Sequence, residues 1–244
     1  MDSSQDWVEK EFYQWGLGLG FAVDEGQMIK FQKYARWLLK WNESRNLTSI
    51  VDWQGIFIKH FYDSLSLLSV LITLQPLERV LDLGTGAGFP GIPMKIMMPE
   101  LRLTLCDSLH KRIEFLQFVA NELGFEDVTV VHARAEELAL DKGHRETYSH
   151  LVSRAVAQLP TLVEWSFPFL EVNGHFLAMK GPSADDEWDR AKNAAKVLNA
   201  KLIKTVAYSL PEGMGDRVIL DIQKLSPTPR RFPRRPGDAL RNPL

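Results

Sequence analysis

The residues best suited to chemistry sit in one run, Asp82-Leu83-Gly84-Thr85-Gly86-Ala87-Gly88-Phe89-Pro90-Gly91. A strand-compatible stretch from Val80 meets an acid and then breaks into a turn with glycine at every second position. A strand that re-enters a helix through such a turn points backbone N–H groups at a ligand with no side chain in the way, an arrangement that holds nucleotide-like molecules. Gly86-Ala87-Gly88-Phe89-Pro90-Gly91 is also a literal dinucleotide fingerprint, which is weak evidence alone. Two details favour S-adenosylmethionine over NAD. Asp82, two residues ahead of Gly84, would repel a pyrophosphate but attract the ammonium of a methionine moiety. Pro90 and Pro93 remove amide donors that a pyrophosphate would want at a helix start.

In an open α/β sheet, ligands bind beyond the carboxyl ends of the strands. By that rule Asp107, about twenty residues past the loop, is the acid for the ribose hydroxyls, with Ser108 beside it. A third strand leads to Ala133-Arg134-Ala135-Glu136, where an adenine can lie. A fourth delivers Ser153-Arg154-Ala155 and a fifth Lys180-Gly181. Each station alone reads as a polar loop residue; five at consecutive strand ends read as one cleft. Chemistry that needs an Asn/Asp-Pro-Pro-aromatic segment after the fourth strand does not fit Ser-Arg-Ala, and Cys106, inside a strand, is no nucleophile. His110, His132, His144, His150 and His175 lack ligand spacing, so no metal is expected. His60 and Asp63 lie one turn apart on an expected helix, either anchoring it or facing substrate.

These stations need a sheet to carry them. Short β-rich runs at 79–83, 101–106, 128–132, 150–154 and 175–179 alternate with helical patterns, which predicts parallel strands with crossover helices. Ile113, Leu116, Ala120 and Leu123 make a helical stripe that ends at Gly124. Ser183 with Asp186 predicts a capped helix carrying Trp188, Ala191, Ala195 and Leu198. The runs 201–209 and 217–223 are joined by too short a loop for a crossover. They predict an antiparallel pair, five parallel strands and one reversed edge strand. The expected fold class is therefore α/β, a Rossmann-like class I S-adenosylmethionine-dependent methyltransferase sheet with helices on both faces and an N-terminal helical extension. In that extension Asp24 and Gln27 form a variant capping box, and Met28, Phe31, Ala35, Leu38 and Trp41 share one face. Five of the seven tryptophans precede residue 54. They serve a core or, on the sharper reading, stack on RNA bases.

The 244 residues, 45% hydrophobic, suffice for one large domain and an appendage. A net charge of -2 gives no whole-chain nucleic-acid signature. One cysteine and the lack of a membrane-length apolar run or signal-like start lead to the expectation of a cytoplasmic protein. Local basicity is densest in the proline-rich tail after Leu225, where Arg230, Arg231, Arg234, Arg235 and Arg241 stand against a single aspartate, Asp238. So many prolines exclude a regular element, and arginine on an extended scaffold suits phosphate. A disordered terminus is the plainer alternative.

With these residues in hand, the chain resembles the small-subunit ribosomal RNA methyltransferase G family, also called glucose-inhibited division protein B. The resemblance rests on Asn46-Leu47-Thr48, His60 with Asp63-Ser64-Leu65, the run from Asp82 to Pro93, Asp107-Ser108-Leu109 with Lys111-Arg112 and Phe115-Leu116, Ser153-Arg154-Ala155, Lys180-Gly181 and Pro233-Arg234-Arg235-Pro236-Gly237. Lys59 stands where many members have arginine. The resemblance implies methylation of N7 of one guanine in the decoding-region loop of 16S rRNA using S-adenosylmethionine; the expected partner is the free rRNA or the 30S subunit, and the expected state a monomer. It makes Gly84, Phe89, Ala135, Glu136 and Arg154 cofactor contacts and Asp107 the ribose acid. The full candidate set adds Asp82, Gly86, Gly88 and Ser108 for cofactor, Arg154 and Lys180 for positioning the base, and Arg230, Arg231, Arg234 and Arg235 for RNA. The expected divisions are a helical region 1–75, a methyltransferase domain 76–225 and a basic tail 226–244. A small-molecule methyltransferase, an NAD oxidoreductase and a non-catalytic RNA-binding module are the competing readings.

Overall fold

The computed structural model describes residues 3–71 and 79–244. The expected boundary between residues 75 and 76 lies outside them, as do Met1 and Asp2.

Seven strands form one sheet: β1 (Val80–Leu83), β2 (Leu103–Asp107), β3 (Val128–His132), β4 (Tyr148–Arg154), β5 (Leu170–Lys180), β6 (Ala200–Ser209) and β7 (Asp216–Lys224). Their order is β3-β2-β1-β4-β5-β7-β6. The first five pair in parallel, and β7 is antiparallel to both β5 and β6. This corrects one expectation. The reversed strand is not at the edge but lies between β5 and β6, and β6 forms the edge. The composition of the two strands explains the choice. Ile219, Leu220, Asp221 and Ile222 of β7 are all buried, so β7 can be covered on both faces, whereas β6 alternates and exposes Lys201 and Lys204. A strand with exposed lysines suits an edge, where it discourages further pairing.

Helices His110–Glu122 and Ala184–Leu198 cover opposite faces of the sheet, each with an apolar stripe. The first ends as expected: Gly124 takes φ +63°, and Phe125 N donates to the Ala120 carbonyl at 3.0 Å, closing the helix end. The second starts differently from expectation. Ser183 makes no side-chain cap bond, because its backbone (φ -82°, ψ 17°) is not in the extended conformation that aims an N-cap hydroxyl at the first turn.

The N-terminal helices are Ser3–Gly18 and Glu25–Arg45, the latter opened by the Asp24–Gln27 capping box. A continuous helical stretch follows at 53–65, whose centre, Ile56–Tyr62, widens to a π-helix. Phe12, Phe31, Phe57 and Phe61 are fully or almost fully buried there, with ring centroids about 5 Å apart. Tyr34 and Phe61 continue the cluster to Phe89 of the glycine turn. The helical region thus shares one core with a face of the sheet. Trp37 and Trp41 pack on Phe118 of helix His110–Glu122, so they serve the core reading of the tryptophans.

Candidate active site

Strand β1 ends in the glycine turn, and each glycine has a separate duty. Gly84 (φ +70°) and Thr85 donate their amides to the Cys106 carbonyl at 2.9 and 3.1 Å, which ties the turn to β2. A Cβ on Gly88 (φ +104°) would lie 2.5 Å from Ile92 Cγ1 and 2.7 Å from Tyr34 Oη, so that glycine admits neighbouring side chains rather than a ligand. Gly86 (φ +63°) has nothing within 4 Å of a would-be Cβ. It is the glycine whose bare face opens on a cavity, the cradle a nucleotide-like ligand requires.

Asp82 does not face that cavity, which corrects the expectation that it meets a methionine ammonium directly. It is fully buried under the turn, where Oδ2 accepts from Thr85 Oγ1 at 2.6 Å and from Gly91 N at 2.8 Å. Burial raises its pKa to about 7. It is the side chain around which the turn folds. Asp107 is the acid that reaches the cavity. Its Oδ2 accepts from Gly86 N at 2.9 Å and Arg112 Nη1 at 3.0 Å, and its Oδ1 accepts from Leu109 N at 2.9 Å. Fixed by three donors, its carboxylate has acceptor capacity left for hydroxyl groups.

Three adjoining cavities run along the carboxyl edge. One, about 510 Å³, lies over Gly84, Gly86, Phe89 and Asp107; a second, about 380 Å³, is lined by Asp107, Ser108, Ala135 and Glu136. The third, about 820 Å³, opens beside Lys59, Arg154, Lys180 and Arg217. These sizes suit small-molecule ligands. Ala155, which borders the first and third, has φ +55°, a backbone state a non-glycine residue rarely adopts and one that clusters at functional sites.

Between the first and third cavities Arg154 anchors a buried polar network. Its Nη1 donates to Asp63 Oδ2 and to the Lys59 carbonyl, both at 2.9 Å, and its Nη2 donates to His60 Nδ1 at 3.0 Å. A guanidinium cannot accept, so His60 Nδ1 carries no proton and Nε2–H donates to Thr48 Oγ1 at 2.8 Å. Burial and the neighbouring Arg154 charge lower the His60 pKa to about 3, so the ring is neutral. It stacks on Phe89 with centroids 4.2 Å apart, and the Arg154 guanidinium covers the same ring at 5.0 Å. On the far side Tyr208 Oη of β6 donates to Asp63 Oδ1 at 2.7 Å, and burial next to Asp63 holds that phenol protonated. The end of the π-helix and the turn that follows it bring the Lys59 carbonyl, His60 and Asp63 within reach of a single arginine.

Several candidates have partners that sequence could not reveal. Lys180 lines the third cavity, yet its Nζ donates to Glu187 Oε2 and the Ala157 carbonyl, both at 2.8 Å, so it braces the loop after β4 instead of offering a bare cation. The tail is folded down, with Phe232 and Ala239 buried and one helical turn at Asp238–Arg241 after the last of the clustered prolines. Arg234 forks onto the buried carboxylate of Glu164 at 2.5–3.0 Å and so is not a free phosphate ligand; Arg230, Arg231 and Arg235 are exposed. Glu136 lies in the second cavity, and its Oε1 accepts from Gly237 N of the tail at 3.0 Å. The sequence reading gave no site role to Arg112, Val156, Trp165, Tyr208, Arg217 and Leu240. Of these, only Arg112 carried a signal, its place three residues past a strand-end acid motif. No group of three or more His, Cys, Asp or Glu suited to a metal occurs among the described residues, and no helix there is long and apolar enough to cross a membrane.

A sheet of this order, with an acid after β2 and a glycine turn after β1 bordering one cleft, defines the Rossmann-like class I methyltransferase fold. A solved structure described as "Conversion of a Disulfide Bond into a Thioacetal Group during Echinomycin Biosynthesis" shares the fold at TM-score 0.52 and 13% identity, over 66% of this chain and 80% of that one. The profile of the family described as rRNA small subunit methyltransferase G matches residues 27–214, and the chain belongs to that family. Proteins named "Ribosomal RNA small subunit methyltransferase G" are 44% identical in Alkaliphilus metalliredigens, over 93% of this chain and 94% of the relative, and 41% identical in Acetivibrio thermocellus, over the whole of both. A relative of the same name from Lactococcus lactis subsp. lactis is 44% identical over 91% of this chain and 93% of its own.

Proposed function

We infer that this chain is an S-adenosylmethionine-dependent methyltransferase that acts on N7 of a guanine in 16S rRNA. The observation that carries the reading is the cleft itself: a nucleotide cradle at Gly86 and Asp107 that opens into a larger cavity bordered by Lys59 and Arg217, in a chain of this family. A small-molecule methyltransferase is the less favoured reading, since the named relatives are ribosomal RNA enzymes.

Gly84, Gly86, Phe89 and Ser108 would hold the cofactor, Asp107 would accept from its ribose hydroxyls, and Ala135 and Glu136 would border its base. When bound, the cofactor supplies a methyl group on a positively charged sulfur. Guanine N7 carries an in-plane lone pair, so it would accept that methyl group without first losing a proton. No general base is needed. That fits a neutral His60 whose two ring nitrogens are already engaged, and a Cys106 thiol pushed up to about 12 by burial. What the chain contributes is alignment, with Arg154 and Phe89 held rigidly between the cofactor and base cavities. Lys59, Arg217 and the exposed Arg230, Arg231 and Arg235 contact the RNA backbone. The protein acts as a cytoplasmic monomer on the rRNA or the 30S subunit. Its working divisions are a helical region 1–75, a methyltransferase domain 76–225 and a tail 226–244.

The test is transfer of labelled methyl from S-adenosylmethionine to small subunits lacking the modification, with mapping of the labelled base. Label at one guanine N7, abolished by Asp107→Ala, is expected. Absence of label on subunits and on free rRNA, despite tight cofactor binding, would overturn the RNA assignment.

A further inference from the structure

Among the described residues, two line all three cavities of the cleft: Val156, from the loop after β4, and Leu240, from the tail. The point where the cavities meet is therefore bordered by apolar side chains from two distant parts of the chain. Val156 is held against the glycine turn, so closely that a Cβ on Gly84 would lie 2.5 Å from its Cγ2. Leu240 is 57% exposed, on a segment whose backbone is anchored. Its neighbour Ala239 is buried and accepts from Thr161 Oγ1 at 3.0 Å. Gly237, three residues earlier, donates to Glu136, and Arg234 grips Glu164. The backbone on the approach to Leu240 is thus fixed at three points while its side chain is left bare toward the cleft.

We propose that Leu240 is a ligand contact of this cleft and closes over the junction at which the sulfur-bearing arm of the cofactor meets the target base. The inference rests on the methyltransferase reading and extends it to a residue beyond the 27–214 matched by the family profile. The chemistry suits the place. A methyl transfer to a neutral nitrogen needs no polar partner at the transferred carbon, and an apolar wall there excludes water and limits the approach of the base to one line. The Gly237–Glu136 bond also gives the adenosine side of the cleft a direct link to the segment that presents Leu240.

The experiment compares the full-length wild type, Leu240→Ala and Leu240→Met for binding of S-adenosylhomocysteine by calorimetry and for kcat and KM on undermodified small subunits. The Ala variant is expected to bind S-adenosylhomocysteine about tenfold more weakly, with an unchanged urea midpoint in the absence of ligand; the Met variant is expected to recover most of the loss. Wild-type affinity and wild-type kcat/KM in Leu240→Ala would overturn the proposal. Failure of the wild type itself to bind S-adenosylhomocysteine would instead overturn the methyltransferase reading beneath it. A second measurement needs no variant. Trypsin cleavage after Arg241 in the wild type is expected to slow severalfold with saturating S-adenosylhomocysteine, and an unchanged rate would also overturn the contact.

Discussion

Two segments outside the sheet reach the same cleft, and they do so by different physics. The N-terminal helices reach it through an apolar aromatic stack that runs from Phe12 through Phe61 and Tyr34 to Phe89, with the Tyr34 hydroxyl donating to the Ala87 carbonyl of the glycine turn. The C-terminal tail, though it buries Phe232 and Ala239, is tied down near the cleft by charges and carbonyls: Arg234 on Glu164, Arg145 on the carbonyls of Phe232 and Thr228, and Gly237 on Glu136. Apolar burial scales with area and tolerates no gap, whereas a hydrogen-bonded strap has modest net strength and fails wherever one partner is lost. The first segment should therefore govern whether the protein is folded, and the second whether the cleft is closed.

Phe61→Ala offers the largest break in that contrast. Phe61 is fully buried and touches five aromatic rings, so its loss should cost about 3–5 kcal/mol in urea unfolding. Arg234→Ala should cost less, about 1–3 kcal/mol, because it strands the buried Glu164 carboxylate but empties no core. It should also expose the tail to trypsin while the far-UV spectrum stays unchanged; a midpoint loss as large as that of Phe61→Ala would erase the distinction drawn between the two segments.

A third test reads a slope. An ordinary histidine titrates near 6.5, and His60 in the fold near 3, so as pH falls below 6.5 the unfolded chain takes up a proton that the native state refuses. Its contribution lowers stability progressively from pH 6.5 toward 3, and His60→Gln should flatten that loss. Asp82 acts with the opposite sign. Its folded pKa of about 7 lies above the ordinary 3.8, so the native state holds a proton that the unfolded chain releases, and its contribution lowers stability as pH rises from 3.8 to 7. Asp82→Asn should flatten this second slope in urea titrations across the same range. The smallest effect belongs to Tyr208→Phe, which removes one donor from Asp63 and nothing else. About 1 kcal/mol of stability and a severalfold fall in kcat with little change in KM are expected, as the Arg154 network loosens. A change confined to KM would remove Tyr208 from the set that orients Arg154.

The difference between the two segments also explains what could be read early. The stripe Met28, Phe31, Ala35 and Leu38 repeats with the helix period, so its burial is visible along the chain, and Asp24 with Gln27 marks where it begins. Five arginines among prolines carry no period. Their composition suggested a solvated, phosphate-seeking tail, and nothing local says that Glu164, seventy residues away, waits for one of them. Lys180 and Asp82 have partners that the sequence could not show, for the same reason. Each stands at the expected strand end, but a side chain's direction at that end depends on what the neighbouring elements offer, here Glu187 for one and Thr85 with the Gly91 amide for the other.

By itself the sequence determined the alternation of strands and helices, the glycine turn with its acid two residues ahead, the place of Asp107 at the end of β2 and the family to which these motifs point, because each depends on residues close together in the chain. Tertiary structure alone decided that β7 rather than β6 takes the inner place, that His60, Asp63, Arg154 and Tyr208 form one network, and that Leu240 borders the heart of the cleft. Those contacts join positions dozens to more than a hundred residues apart. Their energy comes from mutual desolvation and hydrogen bonding that exist only once the sheet has brought the partners together.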